Sequence, residues 1–330
     1  MNTTTSRTAI EVSGLRKTYG KQVVLDGIGF EVQEGTVFSL LGPNGAGKTT
    51  TVQILTTLHA PDGGAASIMG HDTVREADAV RRTIGVTGQF SAVDTLLTGE
   101  ENLQLMADLH HFDRKKGRRR VAELLEQFDL VDARKKPPAQ YSGGMKRRLD
   151  LAMTLVAKPR VIFLDEPTTG LDPRSRRSMW QAIRELVDGG VTVFLTTQYL
   201  EEADQLADRI AVLNGGSIVA HGTSAELKQL IPGSHVRLHF ADANELALAA
   251  SAFRGSSRDD AGLTLSVPSD GSIGSLRTVL DRVEDSSIDA QQLTVHTPDL
   301  DDVFFALTGE APAATGTTGM TDTTEKAATR

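Results

Sequence analysis

Val37-Phe38-Ser39-Leu40-Leu41-Gly42-Pro43-Asn44-Gly45-Ala46-Gly47-Lys48-Thr49-Thr50 is the stretch that decides the fold. An apolar run ends in a glycine-rich loop, and the residues from Val52 to Leu58 that follow are compatible with a helix. Strand, glycine loop and helix in this order form a phosphate cradle. Glycines are needed because successive backbone N–H groups must wrap an anion closely, in conformations that side chains obstruct. Gly42, Pro43, Asn44, Gly45, Ala46, Gly47, Lys48, Thr49 and Thr50 are therefore the expected phosphate-binding residues. Lys48 would reach the β- and γ-phosphates and Thr49 would give its hydroxyl to Mg2+, while the positive end of the following helix adds its dipole.

Outward from the loop, a second apolar run ends in two acids: Val161-Ile162-Phe163-Leu164-Asp165-Glu166, with Asp165 117 positions beyond Lys48. Ligands collect at the carboxyl ends of such strands. Asp165 is the expected holder of the Mg2+ hydration shell, and Glu166 the expected group polarising the water that attacks the γ-phosphate.

The wider pattern agrees with a layered α/β core. From Ala9 to about Ala220, β-branched runs alternate with amphipathic helical patterns, and the runs Thr36 to Leu41, Val161 to Leu164 and Val191 to Thr196 are continuously apolar. They predict a parallel sheet covered on both faces. Between Gln89 and Lys158 long helical patterns follow one another without a strand run, which predicts a helical insertion. The pattern breaks at Ile231-Pro232-Gly233. Strand-like His235 to Phe240, helix-like Asn244 to Phe253, strand-like Leu263 to Val267 and helix-like Ile273 to Val283 then predict a small α+β domain. Ala311 to Arg330 is Thr, Ala and Gly without large apolar periodicity, and is expected to be disordered. There is no internal repeat.

Composition narrows the function. The 330 residues include no cysteine, so disulfides, zinc-thiolate sites, iron–sulfur clusters and thiol nucleophiles are excluded. Lys and Arg number 35 against 43 Asp and Glu, a net charge of −8 that argues against a general nucleic-acid coat. No stretch approaches the roughly 18 consecutive apolar residues of a membrane span. Met1 to Glu11 lacks the apolar centre of a signal peptide, so the chain is expected neither to cross a bilayer nor to be secreted by the usual route. The adjacent His110 and His111 lack metal-ligand spacing, and no structural metal is expected. The basic run Arg114-Lys115-Lys116-Gly117-Arg118-Arg119-Arg120 reads as a solvated helix start, with anionic lipid or a partner's acidic loop as the other reading.

Tyr141-Ser142-Gly143-Gly144-Met145-Lys146-Arg147-Arg148 opens a helix whose apolar positions Met145, Leu149, Ala152, Met153 and Val156 share one face. Ser142 is a plausible N-cap, and the helix start offers a second anion site. Here the chain resembles the ATP-binding cassette family, whose signature is Leu-Ser-Gly-Gly-Gln; Tyr141 and Met145 depart at the outer positions, while Ser142, Gly143 and Gly144 are kept. The resemblance implies that Tyr19 stacks on adenine, that Gln89 reaches the Mg2+ on a loop touching a membrane subunit, and that Asp172 communicates across a dimer. The family normally places a histidine on the γ-phosphate where this chain has Gln198. Glutamine can donate an N–H but cannot become cationic, so slow turnover supported chiefly by Glu166 is expected.

Residues 196 to 210, Val-Thr-Gly-Gln at 86 to 89 and Leu-Asp-Asp-Val-Phe-Phe-Ala-Leu-Thr-Gly at 300 to 309 are similar to the daunorubicin/doxorubicin-resistance ATP-binding proteins, over roughly residues 9 to 309. These are bacterial cytoplasmic ATPases that pair with a separate membrane subunit to export drugs. The late motif, with Leu300, Val303, Phe304 and Leu307 on one helix face, implies a regulatory or assembly role; an ordinary amphipathic closing helix is the other reading. The expected architecture is α/β: a P-loop NTPase (ABC ATPase) core over 1–232 with a helical subdomain at about 90–158. A C-terminal regulatory or assembly domain at 233–309 and a tail at 310–330 complete it. The expected function is ATP hydrolysis, with ATP and Mg2+, by a head-to-tail homodimer bound to an integral membrane permease at the cytoplasmic face, driving efflux of a hydrophobic drug. Export of lipid or polysaccharide, or a soluble cassette ATPase outside transport, are the alternatives.

Overall fold

In β1 (Thr8–Tyr19) and β2 (Gln22–Gln33), buried and exposed positions alternate, as they do in strands with one wet face. The two pair antiparallel around Gly20, whose φ of 61° suits glycine. The computed structural model describes residues 7–88, 92–231, 234–270, 272–286, 288–296 and 298–309; Gln89, the Pro232-Gly233 break and the expected tail lie outside them. β3 (Val37–Leu41) is buried at every residue and feeds the glycine loop, which ends in α1 (Lys48–Leu55). β4 (Gly63–Ile68), β5 (His71–Asp72), α2 (Ala77–Thr83) and β6 (Ile84–Thr87) follow. Then come three helices, α3 (Gly99–Leu109), α4 (Arg114–Gln127) and α5 (Gly143–Thr154), with no strand between them among the described residues. β7 (Val161–Asp165), α6 (Pro173–Asp188), β8 (Thr192–Thr197), α7 (Leu200–Leu206), β9 (Arg209–Asn214), β10 (Ser217–Gly222) and α8 (Ser224–Lys228) complete the larger unit.

The central sheet has the order β10-β9-β3-β8-β7-β6, parallel except for β10, which pairs antiparallel with β9. The three predicted apolar runs are its β3, β7 and β8, within a residue or so at each end. Residues 8–33 and 63–72 do not join this sheet but form a second, antiparallel one, β2-β1-β4-β5. Their alternating burial marks a sheet with one packed face, unlike the continuous burial of β3, β7 and β8. Stacked aromatics join the two layers: Phe30 of β2 lies 5.0 Å from Phe38 of β3, which lies 5.5 Å from Phe194 of β8.

The C-terminal region is built from β11 (His235–Phe240), α9 (Ala243–Ala252), β12 (Ser257–Asp259), β13 (Thr264–Pro268), α10 (Ile273–Asp285) and β14 (Ala290–His296). It is an antiparallel sheet of order β12-β13-β11-β14 with its own core, including Val236, Leu238, Phe240, Leu246, Phe253 and Leu265. The closing helix α11 (Leu300–Thr308) departs from it. Leu300, Val303 and Phe304 are buried, and Leu307 partly so, against Leu41, Leu200, Ala203, Ile210, Val212 and Leu227 of the larger unit. Asp299 caps the helix reciprocally with Asp302. Phe304→Ala should therefore cost the larger unit about 3–5 kcal/mol. A lower urea midpoint at unchanged slope would show it, and a midpoint equal to the parent's would refute it.

Candidate functional site

The site lies where β3, β7 and β8 end side by side. The Gly42 N–H donates to Thr197 O (3.2 Å), fastening the start of the glycine loop to the end of β8. Gly47 has φ 110°, and a Cβ there would stand 2.7 Å from Leu25 Cδ2 and 2.8 Å from Val24 O, so only glycine lets the loop lie against β2. No side chain caps α1, which leaves its first-turn N–H groups for a ligand. Lys48 is buried and its Nζ donates to Gly42 O (2.8 Å) and Pro43 O (3.1 Å), within 3.6 Å of Glu166 Oε1. Burial lowers the Lys48 pKa, opposed by the charges of Glu166 and Asp165.

Asp165 is buried with both oxygens occupied: Thr49 Oγ1 donates to Oδ2 (3.0 Å) and Thr196 Oγ1 to Oδ1 (2.5 Å). Glu166 leaves the strand at φ 49°, a left-handed conformation that costs a non-glycine residue about 1–3 kcal/mol. Its N–H is held by Thr196 O (3.1 Å), and its carboxylate accepts from Thr169 Oγ1 (3.2 Å). Gln198, half-buried, follows directly on the β8 residues that hold Gly42 and Glu166.

These donors fit a nucleotide's phosphates and Mg2+: uncapped N–H groups and an ammonium for the anion, with a hydroxyl beside a carboxylate for a hard cation. Mg2+ typically takes one or two carboxylates, waters and substrate phosphates, and needs no all-protein cage. None is present: the described residues hold no group of three or more His, Asp or Glu able to bind a metal alone.

A second group forms around α5. Ser142 caps the helix, accepting from the Met145 N–H (3.3 Å). Asp172 caps α6, accepting from the N–H groups of Arg174 and Ser175 and from Ser175 Oγ (2.6 Å), bonds that hold its carboxyl below the usual range. The two caps adjoin, because a Cβ on Gly144 would meet Ser175 Oγ at 2.5 Å. Gly143 lies near Leu171. Tyr19 stands apart at the end of β1, 42% exposed, with its ring facing His59 and Lys17. Gln89 lies outside the described residues.

Two residues of the region were not singled out from the sequence. Arg147, on α5, donates to carbonyls at the end of β7. Glu202, on α7, is 1% exposed and accepts from Thr168 Oγ1 (2.8 Å) and Trp180 Nε1 (3.3 Å). Burial pushes its carboxyl up, against the lowering effect of Thr197, Thr168, Trp180 and the Arg176 charge. A charged residue inside an otherwise helical amphipathic pattern is the only sequence signal for either.

A phosphate loop, an acidic strand end and a glycine-opened helix on one α/β core make a nucleoside triphosphatase. The model of the ABC transporter family matches residues 25–169; a second, the osmosensitive K+ channel His kinase sensor domain, matches 111–232 and overlaps it. The daunorubicin resistance ATP-binding protein DrrA3 of Streptomyces coeruleorubidus is 49% identical over 92% of this chain and 96% of its own length. The daunorubicin/doxorubicin resistance ATP-binding protein DrrA of Streptomyces peucetius is 46% identical over 94% of each. A solved ATP-binding subunit of an ABC transporter is 30% identical, with a TM-score of 0.61 over 68% of this chain and 93% of its own. A dimeric ATP-binding cassette with bound ADP and Pi is 27% identical, with a TM-score of 0.59 over 65% of this chain and 98% of its own. The chain belongs to the ABC transporter ATP-binding proteins, among those of the daunorubicin/doxorubicin-resistance type, and is an ATPase.

Proposed function

We propose that this chain is the ATP-hydrolysing subunit of an exporter that moves a hydrophobic drug through a separate membrane permease. The observation that carries the chemistry is the meeting of Lys48, Thr49, Asp165 and Glu166 at adjoining strand ends. Drug export is favoured over the alternatives by the extent of similarity. The daunorubicin-resistance relatives match 91–94% of the chain, whereas the Nod factor export ATP-binding proteins match 66–72%. Among the described residues no helix is long and apolar enough to cross a membrane; in this reading the chain is a peripheral subunit at the cytoplasmic face of the membrane.

In this reading the loop from Gly42 to Thr50 holds the ATP phosphates, and Lys48 turns from the Gly42 and Pro43 carbonyls to the β- and γ-phosphate oxygens. Thr49, Asp165 and Gln89 would hold Mg2+, which when bound neutralises phosphate charge. Glu166 accepts a proton from water as the water oxygen bonds to the γ-phosphorus and the bond to ADP breaks in line. Tyr19 stacks on adenine. Ser142, Gly143 and Gly144 close on the ATP held by a second copy, with Asp172 at the junction, so a two-fold pair encloses two equivalent sites. Closure on binding and reopening after hydrolysis drive the permease by differential affinity. The region from 233 to 309 regulates or assembles the complex.

Gln198 gives a direct check. Histidine at this position adds a group that can become cationic beside the developing phosphate charge, so Gln198→His should turn over faster, by up to about tenfold. A variant several-fold slower than the parent in phosphate release would remove Gln198 from the γ-phosphate.

The function as a whole is tested by capturing tagged Glu166→Gln protein with ATP from gently solubilised cells and identifying its companions by mass spectrometry. A multi-span membrane protein, lost in a Lys48→Ala control, supports the exporter. Ribosomal or DNA-bound factors in its place would leave only the ATPase.

A further inference from the structure

The chemistry described so far makes no use of Arg147, although its side chain is only 13% exposed. It stands on α5, five residues after Ser142. Nε donates to Pro167 O (2.9 Å), Nη1 to Gly88 O (3.0 Å) and Asp150 Oδ2 (3.2 Å), and Nη2 to Asp165 O (3.2 Å) and Glu166 O (3.5 Å). Three of these acceptors are consecutive carbonyls, and they span the left-handed bend at Glu166. A bend at a strand end takes carbonyls out of the ladder, where burial demands other donors. One guanidinium supplies them, because its five N–H groups are fixed in a plane; an ammonium is a compact point donor that cannot span three carbonyls. A fourth carbonyl acceptor, Gly88 O, belongs to the residue immediately before Gln89.

We propose that Arg147 is a positioning residue that ties the Ser142 helix to the Asp165–Glu166–Pro167 bend, so that engagement of Ser142 by ATP on a second copy sets the place of Glu166 in its own site. The proposal rests on the head-to-tail reading above. A helix and a strand end joined by one rigid fork move together, and a misplacement on the order of 1 Å at a reacting group can cost about a hundredfold in rate. Arg147 touches no substrate in this scheme; it acts through the backbone of the residues that do.

The test uses the full-length chain with Arg147→Lys and Arg147→Gln, each alone and combined with Glu166→Gln. Three quantities are read: ATP affinity by equilibrium dialysis with Mg2+, steady-state phosphate release, and ATP-driven pairing of the Glu166→Gln forms by size exclusion. The expected result is ATP affinity within about threefold of the parent, kcat lower by at least about tenfold, and weakened pairing. A kcat within about twofold of the parent, a parallel loss of binding and turnover, or undiminished pairing would each overturn the inference. So would failure of both variants to fold, judged by circular dichroism, since Arg147 would then be a structural residue. If Glu166→Gln with Arg147 intact stays monomeric with ATP, the head-to-tail reading falls and takes this inference with it. Pairing that survives loss of Arg147 removes this inference alone.

Discussion

Glu166→Gln is expected to lower kcat for ATP hydrolysis by about 10²–10⁴-fold while ATP affinity stays close to that of the parent. The change removes the proton acceptor and keeps the volume of the side chain, so loop, helix and Lys48 retain their places. Affinity should persist for an electrostatic reason too. The Lys48 ammonium lies 3.6 Å from the Glu166 carboxylate, and removing that anion leaves Lys48 freer to face phosphate. Phosphate release and equilibrium binding of ATP, measured side by side, separate the two effects. A variant that hydrolyses ATP at the parent's rate would take the water-activating role away from Glu166.

Lys48→Ala should act on the other half of the reaction. Removing one partner of a buried charge pair costs about 2–5 kcal/mol, so ATP affinity should fall by about thirtyfold or more, and hydrolysis with it. The fold should survive. Burial already disfavours the charged form of Lys48, and the Gly42 and Pro43 carbonyls it serves sit in a loop that β8 anchors independently through Gly42 N–H. Thermal melting gives a clean reading: parent and variant should melt within a few degrees of each other without ligand, and millimolar ATP should raise only the parent. A variant that ATP still stabilises as strongly as the parent would place the phosphates elsewhere.

Much of this was readable in contiguous residues. The stretch from Val37 to Thr50 declares a strand, a left-handed glycine loop and a helix start within 14 positions, and all three form there. Val161 to Glu166 declares a buried strand ending in acids, and Ser142 the N-cap of the following helical face. The elements β11, α9, β13 and α10 were legible from His235 to Val283 because period-2 and period-3.6 patterns alternate. Strand β14 was not, since no residue of Ala290–His296 is fully buried and the apolar signal is thin. The separate antiparallel sheet of β1, β2, β4 and β5 was not legible, because strand partners are chosen by packing, over distances that no local window sees.

What the sequence determined by itself was therefore chemistry carried by backbone conformation and by immediate neighbours: the cradle, the acids at the strand end, the cap at Ser142. Tertiary structure alone decided which side chains surround those residues. Arg147 reads as one basic residue among several on an amphipathic helix until folding brings Gly88, Asp165, Glu166 and Pro167 around it. Glu202 reads as a solvated helix acid until α7 packs it between Thr168 and Trp180. The apolar face of α11 was visible, but its partner was not; it is the ATPase core, because Leu41, Leu200 and Leu227 present an apolar surface there. Periodicity records that a face must be buried, whereas the identity of what buries it is a property of the whole chain's packing.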